Sequence, residues 1–198
     1  MMDKKRSYRM RERAKSQEET RLKIVEATMH LHEEIGARAT TISAIAERSG
    51  VQRLTVYRHF PDETAVFQAC TAHWLSLNPP PDPQSWVDIA DPWERLRVGL
   101  AAIYDYFSRT TGMWTPAYRD VDYVPALQPP MAEFGAYLEG VGSGLVAGFE
   151  NEPVEGHIAT TIHHALQFLT WSDLEGRGLN NSEKVELVTH WLCPPSSS

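Results

Sequence analysis

Cysteine is nearly missing from this chain: Cys70 and Cys193 are the only two among 198 residues, and they lie far apart. That excludes a disulfide framework and fits thiols kept reduced in a cytoplasm. No apolar run nears the roughly 20 residues a helix needs to cross a bilayer. Nor is the basic N-terminus followed by the apolar stretch of a secretion signal. A cytoplasmic protein with no membrane partner is expected. Alternation of apolar and polar residues is nowhere long enough for a sheet, and there is no internal repeat. A glycine-rich phosphate loop, a nucleophile elbow and a Cys/His cluster are also missing. His157, His163 and His164 come nearest to a metal site. His157 and His164, however, stand two helical turns apart, about 10 Å, too far for one ion. The i, i+4 pair of a helical site is lacking. These absences argue against a metal-dependent or other enzyme, and no cofactor or metal is expected.

What is present is an ordinary globular composition, 42% hydrophobic and 23% charged, in a chain long enough for one large domain or two small ones. The net charge of −7 hides an asymmetry. Residues 1–60 hold 13 Lys/Arg against 8 Asp/Glu, a balance of +5, whereas residues 61–198 hold 6 against 18, a balance of −12. A positive end on an acidic body suits a protein that must meet a polyanion in one orientation. Residues 1–16 carry seven Lys/Arg and two acids. Such a stretch buries too little surface to fold alone, so a mobile arm is expected. Two readings of it stand: an extension that follows a DNA backbone or enters a minor groove, or a solubilising tail.

Residues 40–60 read as two short helices broken by a sharp turn. Ile42, Ile45, Ala46 and Ser49 fall at the spacing of a buried helical stripe. Thr40 or Thr41 stands where an N-cap belongs, and Gly50 ends the helix as a residue that tolerates positive φ. Val56 and Phe60 anchor the second helix, leaving Arg53, Leu54, Tyr57 and Arg58 outward. Two helices that cross steeply through a short turn need a small residue at the crossing, a glycine and an apolar anchor, and all three are here. The outward donors suit base edges and phosphates. An ordinary αα-hairpin with a solvated charged face has the same spacing.

The residues that separate these readings are Arg21, Ile24, Val25, Ala27, Leu31, Gly36, Thr40, Thr41, Ile42, Ile45, Ala46, Gly50, Val51, Thr55, Val56, Tyr57, His59 and Phe60. In identity and spacing this run resembles the N-terminal domain of TetR/AcrR-type transcriptional regulators. The resemblance covers about a quarter of the chain. It implies that the N-terminal part enters a major groove of double-stranded DNA and that the C-terminal helices hold a small molecule and pair two subunits. One recognition helix reads only a few base pairs, so a homodimer on a palindromic operator is the economical arrangement. By position, Arg53 and Leu54 are the candidates for base contact, and Thr41, Tyr57, Arg58 and His59 for phosphates, with Thr40, Gln52 and Thr55 alongside. Four positions depart from the family pattern. His32 and Ala37 replace aromatics, Gln52 replaces a small cap, and Glu63 stands where a lysine commonly reaches a phosphate.

The remaining pattern is helical throughout. Helices are expected over residues 17–35, from a cap at Asp62 through Trp74, over 92–109, 131–149, 155–175 and 182–192. A proline-rich linker lies at 78–83 and a loop-rich stretch at 112–130. The fold class is all-α, about nine helices, divided as a basic arm (1–16), a helix-turn-helix DNA-binding domain (17–61), a ligand-binding and dimerisation domain (62–193) and a tail (194–198). Ile158, Ile162, Ala165 and Leu169 should point inward from one face of the helix at 155–175. Dimerisation is expected through the last two long helices, as halves of a four-helix bundle. By resemblance, Trp114, Tyr118, Phe134, Tyr137, His164, Phe168 and Trp171 are candidates to line an effector pocket, His164 being the leading polar group; plain core is the alternative. Gly140, Gly144 and Gly148 share a face and call for close packing or room for a ligand. The function expected is a repressor released from its operator by a small molecule. An effector-independent regulator or architectural DNA-binding protein is the alternative.

Overall fold

The first helix of the chain, α1 (Met2–Ile35), runs unbroken through the segment expected to be a mobile arm. Burial alone does not decide the conformation of residues 1–16. A helix that is already nucleated propagates without burial, provided its residues favour it. Between Met2 and Ile35 there is no glycine or proline, and Arg, Lys, Glu, Met and Ala predominate at its start. Lys15 and Glu19, 3.9 Å apart at i, i+4, add a little. The computed structural model describes residues 2–149 and 155–192, which form ten α-helices and two 3-10 turns and, among those residues, no strand. Cys193 and the expected tail at 194–198 lie outside the described residues.

The chain divides into two compact units, Met1–Asn78 with Thr115–Pro129, and Pro79–Trp114 with Pro130–Ser198. The first contains α1, α2 (Ile42–Ser49), α3 (Arg53–His59) and α4 (Glu63–Leu77). Its core joins Ile24, Thr28, Leu31 and His32 of α1 to Ile45, Val56, Val66, Phe67, Cys70 and Trp74. Because α4 packs on α1, the structural boundary falls beyond residue 61. Asp62 caps α4, accepting from the Ala65 N–H at 2.8 Å. His32 does the work of an aromatic, meeting Phe67 edge-on at 4.4 Å. Its burial pulls the imidazole down to about 4, against a smaller opposing pull from the Asp120 carboxylate. Burial likewise pushes the neighbouring Cys70 thiol up to about 12.

Residues after α1 are locked by the end of a distant helix, α6 (Pro92–Asp120), whose last residues belong to this unit. The buried Asp120 carboxylate accepts from the Arg38 N–H at 3.1 Å and from Arg119 Nε at 2.8 Å. Arg119 also donates to the Ile35 carbonyl at 3.0 Å. Gly36, at φ 87°, sits against this pair, and a Cβ there would run into both Arg119 and Asp120.

The second unit holds α5 (Gln84–Val87), most of α6, α7 (Gln128–Val146), α8 (Glu155–Ala165), α9 (Phe168–Gly176) and α10 (Asn181–Leu192). Three expectations change here. Helix α6 passes the expected end at 109 and carries Pro116 inside it. An interior proline costs about 3 kcal/mol, and here it sits between the buried Trp114 and Ala117. Only residues 121–124 and the 3-10 turn Pro125–Leu127 remain of the expected loop.

The helix expected over 155–175 is broken at Leu166 and Gln167. There the buried Tyr104 hydroxyl donates to the Ala165 carbonyl at 3.0 Å, taking an acceptor the helix would use. The break resets the register. Phe168 and Trp171 turn in, and Leu169, expected inward, is 61% exposed. Of the three glycines in line, Gly148 alone has the close neighbour expected: a Cβ there would lie 2.7 Å from Pro92, while none is met at Gly140 or Gly144.

Candidate nucleic-acid interface

Two short helices and one glycine turn aim the basic face. Thr41 caps α2, its hydroxyl oxygen accepting from the Ala44 N–H at 3.2 Å, which leaves the hydroxyl proton to donate outward. Gly50 ends α2 at φ 70°, in the left-handed region, with its N–H turned back to the Ala46 and Glu47 carbonyls. Val56 is fully buried against a core that includes Ile45, Ala46 and Phe60, so α3 cannot roll without exposing it. Two side chains brace the pair from α1. Arg48 grips Glu34 through both guanidinium nitrogens, which holds the Glu34 carboxyl below its usual range. Arg21 lies over the Phe60 ring at 5.0 Å.

With Val56 inward, Gln52, Arg53, Leu54, Tyr57 and Arg58 are exposed together. Leu54 is 78% exposed and sets an apolar side chain among these donors. Among the described residues no carboxylate pairs with Arg53 or Arg58. The Arg58 guanidinium donates to Thr55 Oγ1 at 3.1 Å, while Thr55 and His59 are half-buried at the edge of the face. The Gln52 side chain makes no cap hydrogen bond, so its amide is left to face outward. This surface offers guanidinium, amide, hydroxyl and methyl groups in the combination that reads base edges and grips phosphates. Glu63 is exposed in the first turn of α4, where a carboxylate suits the helix dipole.

Thr40 is not part of this face. It is 3% exposed, and its hydroxyl donates to the Gly36 carbonyl at 2.8 Å, which makes it a bracket for the loop before α2. The sequence left Thr40 and Thr41 as equal candidates for the cap, and the structure gives the two hydroxyls different work.

The residues expected to line a pocket fare differently. Trp114, Phe134, Phe168 and Trp171 are buried in the second unit, and they pack on aromatic side chains. Trp114 stacks on Phe134 at 4.1 Å and Phe134 on Tyr137 at 5.7 Å. Phe107 meets Phe134 at 6.2 Å, Phe168 at 5.3 Å and Trp171 at 5.8 Å. The Tyr137 hydroxyl donates to the Pro81 carbonyl at 2.6 Å. Burial pushes the Tyr106 phenol up to about 12. Tyr118 belongs to the first unit, and is not grouped with the others. His164, the leading polar candidate, is exposed beside Thr170. Its neighbour His163 is the one turned toward the body, half-buried against Gly142 and 3.0 Å from Glu139.

Sequence reasoning missed Arg21 as a brace and Tyr104 and Tyr106 as core. It also missed Lys184, fully buried, its ammonium donating to Glu175 and the Leu179 carbonyl and lying 5.3 Å over Trp171. Lys184 could have been suspected from its place between Asn181, Val185 and Val188 on an apolar helix face. Among the described residues no three His, Cys, Asp or Glu side chains gather as a metal would need. No helix there is long and apolar enough to cross a membrane.

Residues 24–70, from the middle of α1 into α4, match the family of bacterial regulatory proteins, tetR family. The chain is 24% identical over 190 residues to the HTH-type transcriptional repressor KstR of Mycobacterium tuberculosis, covering 93% of this chain and 86% of that one. It is 34% identical over 93 residues to the HTH-type transcriptional regulator SrpR of Pseudomonas putida, covering 46% of this chain and 42% of the other. In fold it is similar to a TetR-like transcriptional regulator from Rhodococcus sp. RHA1, with TM-score 0.60, 14% identity and coverage of 87% and 92% of the two chains.

Proposed function

Because the chain is a TetR-family helix-turn-helix transcriptional regulator, we propose that it acts as a two-fold homodimer on a palindromic operator and is released by a small molecule. The observation that carries this is α3: a helix pinned by Val56, with Arg53, Leu54, Tyr57 and Arg58 turned out together. Arg53 takes a guanine edge and Leu54 a thymine methyl, while Thr41, Tyr57, Arg58 and His59 hold phosphates and Gln52 and Thr55 flank them. Two such helices on a dimer meet half-sites about one helical turn apart. Exposed Leu169 on α9 and Trp191 on α10 support pairing through the last helices. The functional division puts DNA reading in residues 17–61 and effector response and pairing in 62–193. An effector in the body shifts α4 and so changes the separation of the two recognition helices.

Selection of duplexes from a random-sequence pool by the purified chain, followed by sequencing, is the test. An inverted repeat should emerge, and a pool that stays random sinks the reading. A second reading, regulation without an effector, is favoured by the way the pocket candidates Trp114, Phe134 and Tyr137 stack on one another. Thermal melting against a metabolite panel separates the two, since a ligand of the native state raises the midpoint.

A further inference from the structure

The N-terminal half of α1 lies ahead of the family match, which begins at residue 24, and neither the helix-turn-helix nor the core requires it. Its geometry is that of a helix face with a purpose. The stripe of α1 that is buried at Leu31, Ala27 and Ile24 continues at the same i, i+3, i+4 spacing through Thr20, Ser16, Arg13 and Arg9. It therefore turns from apolar to basic where the core ends. The nearby acids, Glu12, Glu18 and Glu19, lie off that stripe, and so do the cations Arg11 and Lys15, the second of which pairs with Glu19.

Ser16 and Thr20 of the stripe, with Ala14 and Gln17 on the flank beside it, border an open cleft of about 690 Å³ toward α3. Thr55, Arg58 and His59 form the far side of this cleft, while Arg21 and Glu18, 3.9 Å apart, also border it. Arg13 stands about one turn beyond Ser16, and Arg9 about 6 Å further along the axis. Both are exposed.

We propose that Arg9 and Arg13 form a second phosphate-binding element, which grips the DNA backbone flanking the segment read by α3. The inference rests on the DNA-binding reading above and deepens it: the α1 face and Arg58 hold one continuous run of phosphates, so the footprint is longer than the helix-turn-helix alone would leave. The partner is duplex DNA because the stripe ends in two arginines and leads into the cleft beside the recognition helix, where the bordering carboxylate, Glu18, is paired with Arg21. A solubilising tail gives no reason for Arg9 and Arg13 to be distinguished from Arg11 and Lys15.

That distinction is the test. Two full-length double variants, R9Q/R13Q and R11Q/K15Q, lose the same charge from opposite faces of one helix. Circular dichroism establishes that both keep the helix. Affinity for a duplex selected by the unaltered chain is then measured against salt. Each phosphate contact contributes about 0.9 to the slope of log affinity on log salt. R9Q/R13Q should lower the slope by about 1.8, and R11Q/K15Q should leave it near that of the unaltered chain. Equal slopes for the two variants overturn this inference and leave the DNA-binding reading standing. Absence of salt-dependent duplex binding by the unaltered chain overturns both.

Discussion

The outward face of α3 and the aromatic cluster of the second unit are opposite solutions to placing functional-looking side chains. On α3, Arg53, Leu54, Tyr57 and Arg58 stand in solvent, with no carboxylate beside the two arginines among the described residues. In the cluster, Phe107, Trp114, Phe134, Phe168 and Trp171 are buried against one another. The first arrangement leaves guanidinium donors and an apolar side chain in solvent. The second spends its surface internally. A site for a polyanion is a face, and its residues suffice to describe it. An effector site is a space, and aromatic residues at helical spacing are equally consistent with its being filled by themselves.

Replacing Phe134 with alanine tests the filled half of that contrast and should have the largest effect. Loss of a buried phenylalanine costs about 3–5 kcal/mol, read by denaturant melts, with the duplex affinity of the folded fraction unchanged. A cost below about 1 kcal/mol would mean that Phe134 borders open room, and the body would then resemble a preformed pocket. The next largest effect falls on the head. His32 titrates near 4 when folded, against an ordinary 6.5, so the unfolded chain binds the proton more readily. The stability this represents, about 3 kcal/mol, is present in full above pH 6.5 and is lost as the pH falls toward 4. Melting the full chain across this range, beside H32F, should show a steeper slope than the variant's, the carboxylates held below their usual range contributing to both. Equal slopes would remove His32 as the cause.

The contrast also explains which parts of the structure could be read in advance. The turn between α2 and α3 is local: Gly50 at positive φ, the Thr41 cap, and Val56 and Phe60 four residues apart all act within about twenty positions. What escaped reading depends on distant partners. At the break after Ala165 the free carbonyl is met by a hydroxyl on Tyr104, 61 residues away. Pro116 lies inside a helix, between the buried Trp114 and Ala117. Choosing His163 over His164 needed the position of Gly142 on another helix. The α1 extension differs: its charge density points to an arm, whereas helix propagation from the core decides its conformation.

Arg53→Ala sharpens the other half of the comparison, at the level of one base pair. A bidentate contact to guanine is worth about 1–3 kcal/mol of discrimination. The variant should lose preference at one operator position while keeping its hold on the rest. Binding across a set of single-base operator variants measures this. A loss shared evenly by all of them would make Arg53 a phosphate contact.

Tyr57→Phe is the smallest change and separates positioning from reading most cleanly. The ring stays, so packing at this half-exposed position is preserved and only the hydroxyl is lost. One hydrogen bond to a charged phosphate at an exposed site is worth about 1.5 kcal/mol, a loss of about tenfold, and it should be the same on every duplex because phosphates carry no sequence. The salt slope should also stay unchanged, because a neutral hydroxyl displaces no counterion. Arg58 does displace one, so Arg58→Gln would lower the slope while Tyr57→Phe would not. If the loss at Tyr57 instead varied from one operator variant to another, its hydroxyl would be reading a base edge, and the face of α3 would hold a second reader beside Arg53.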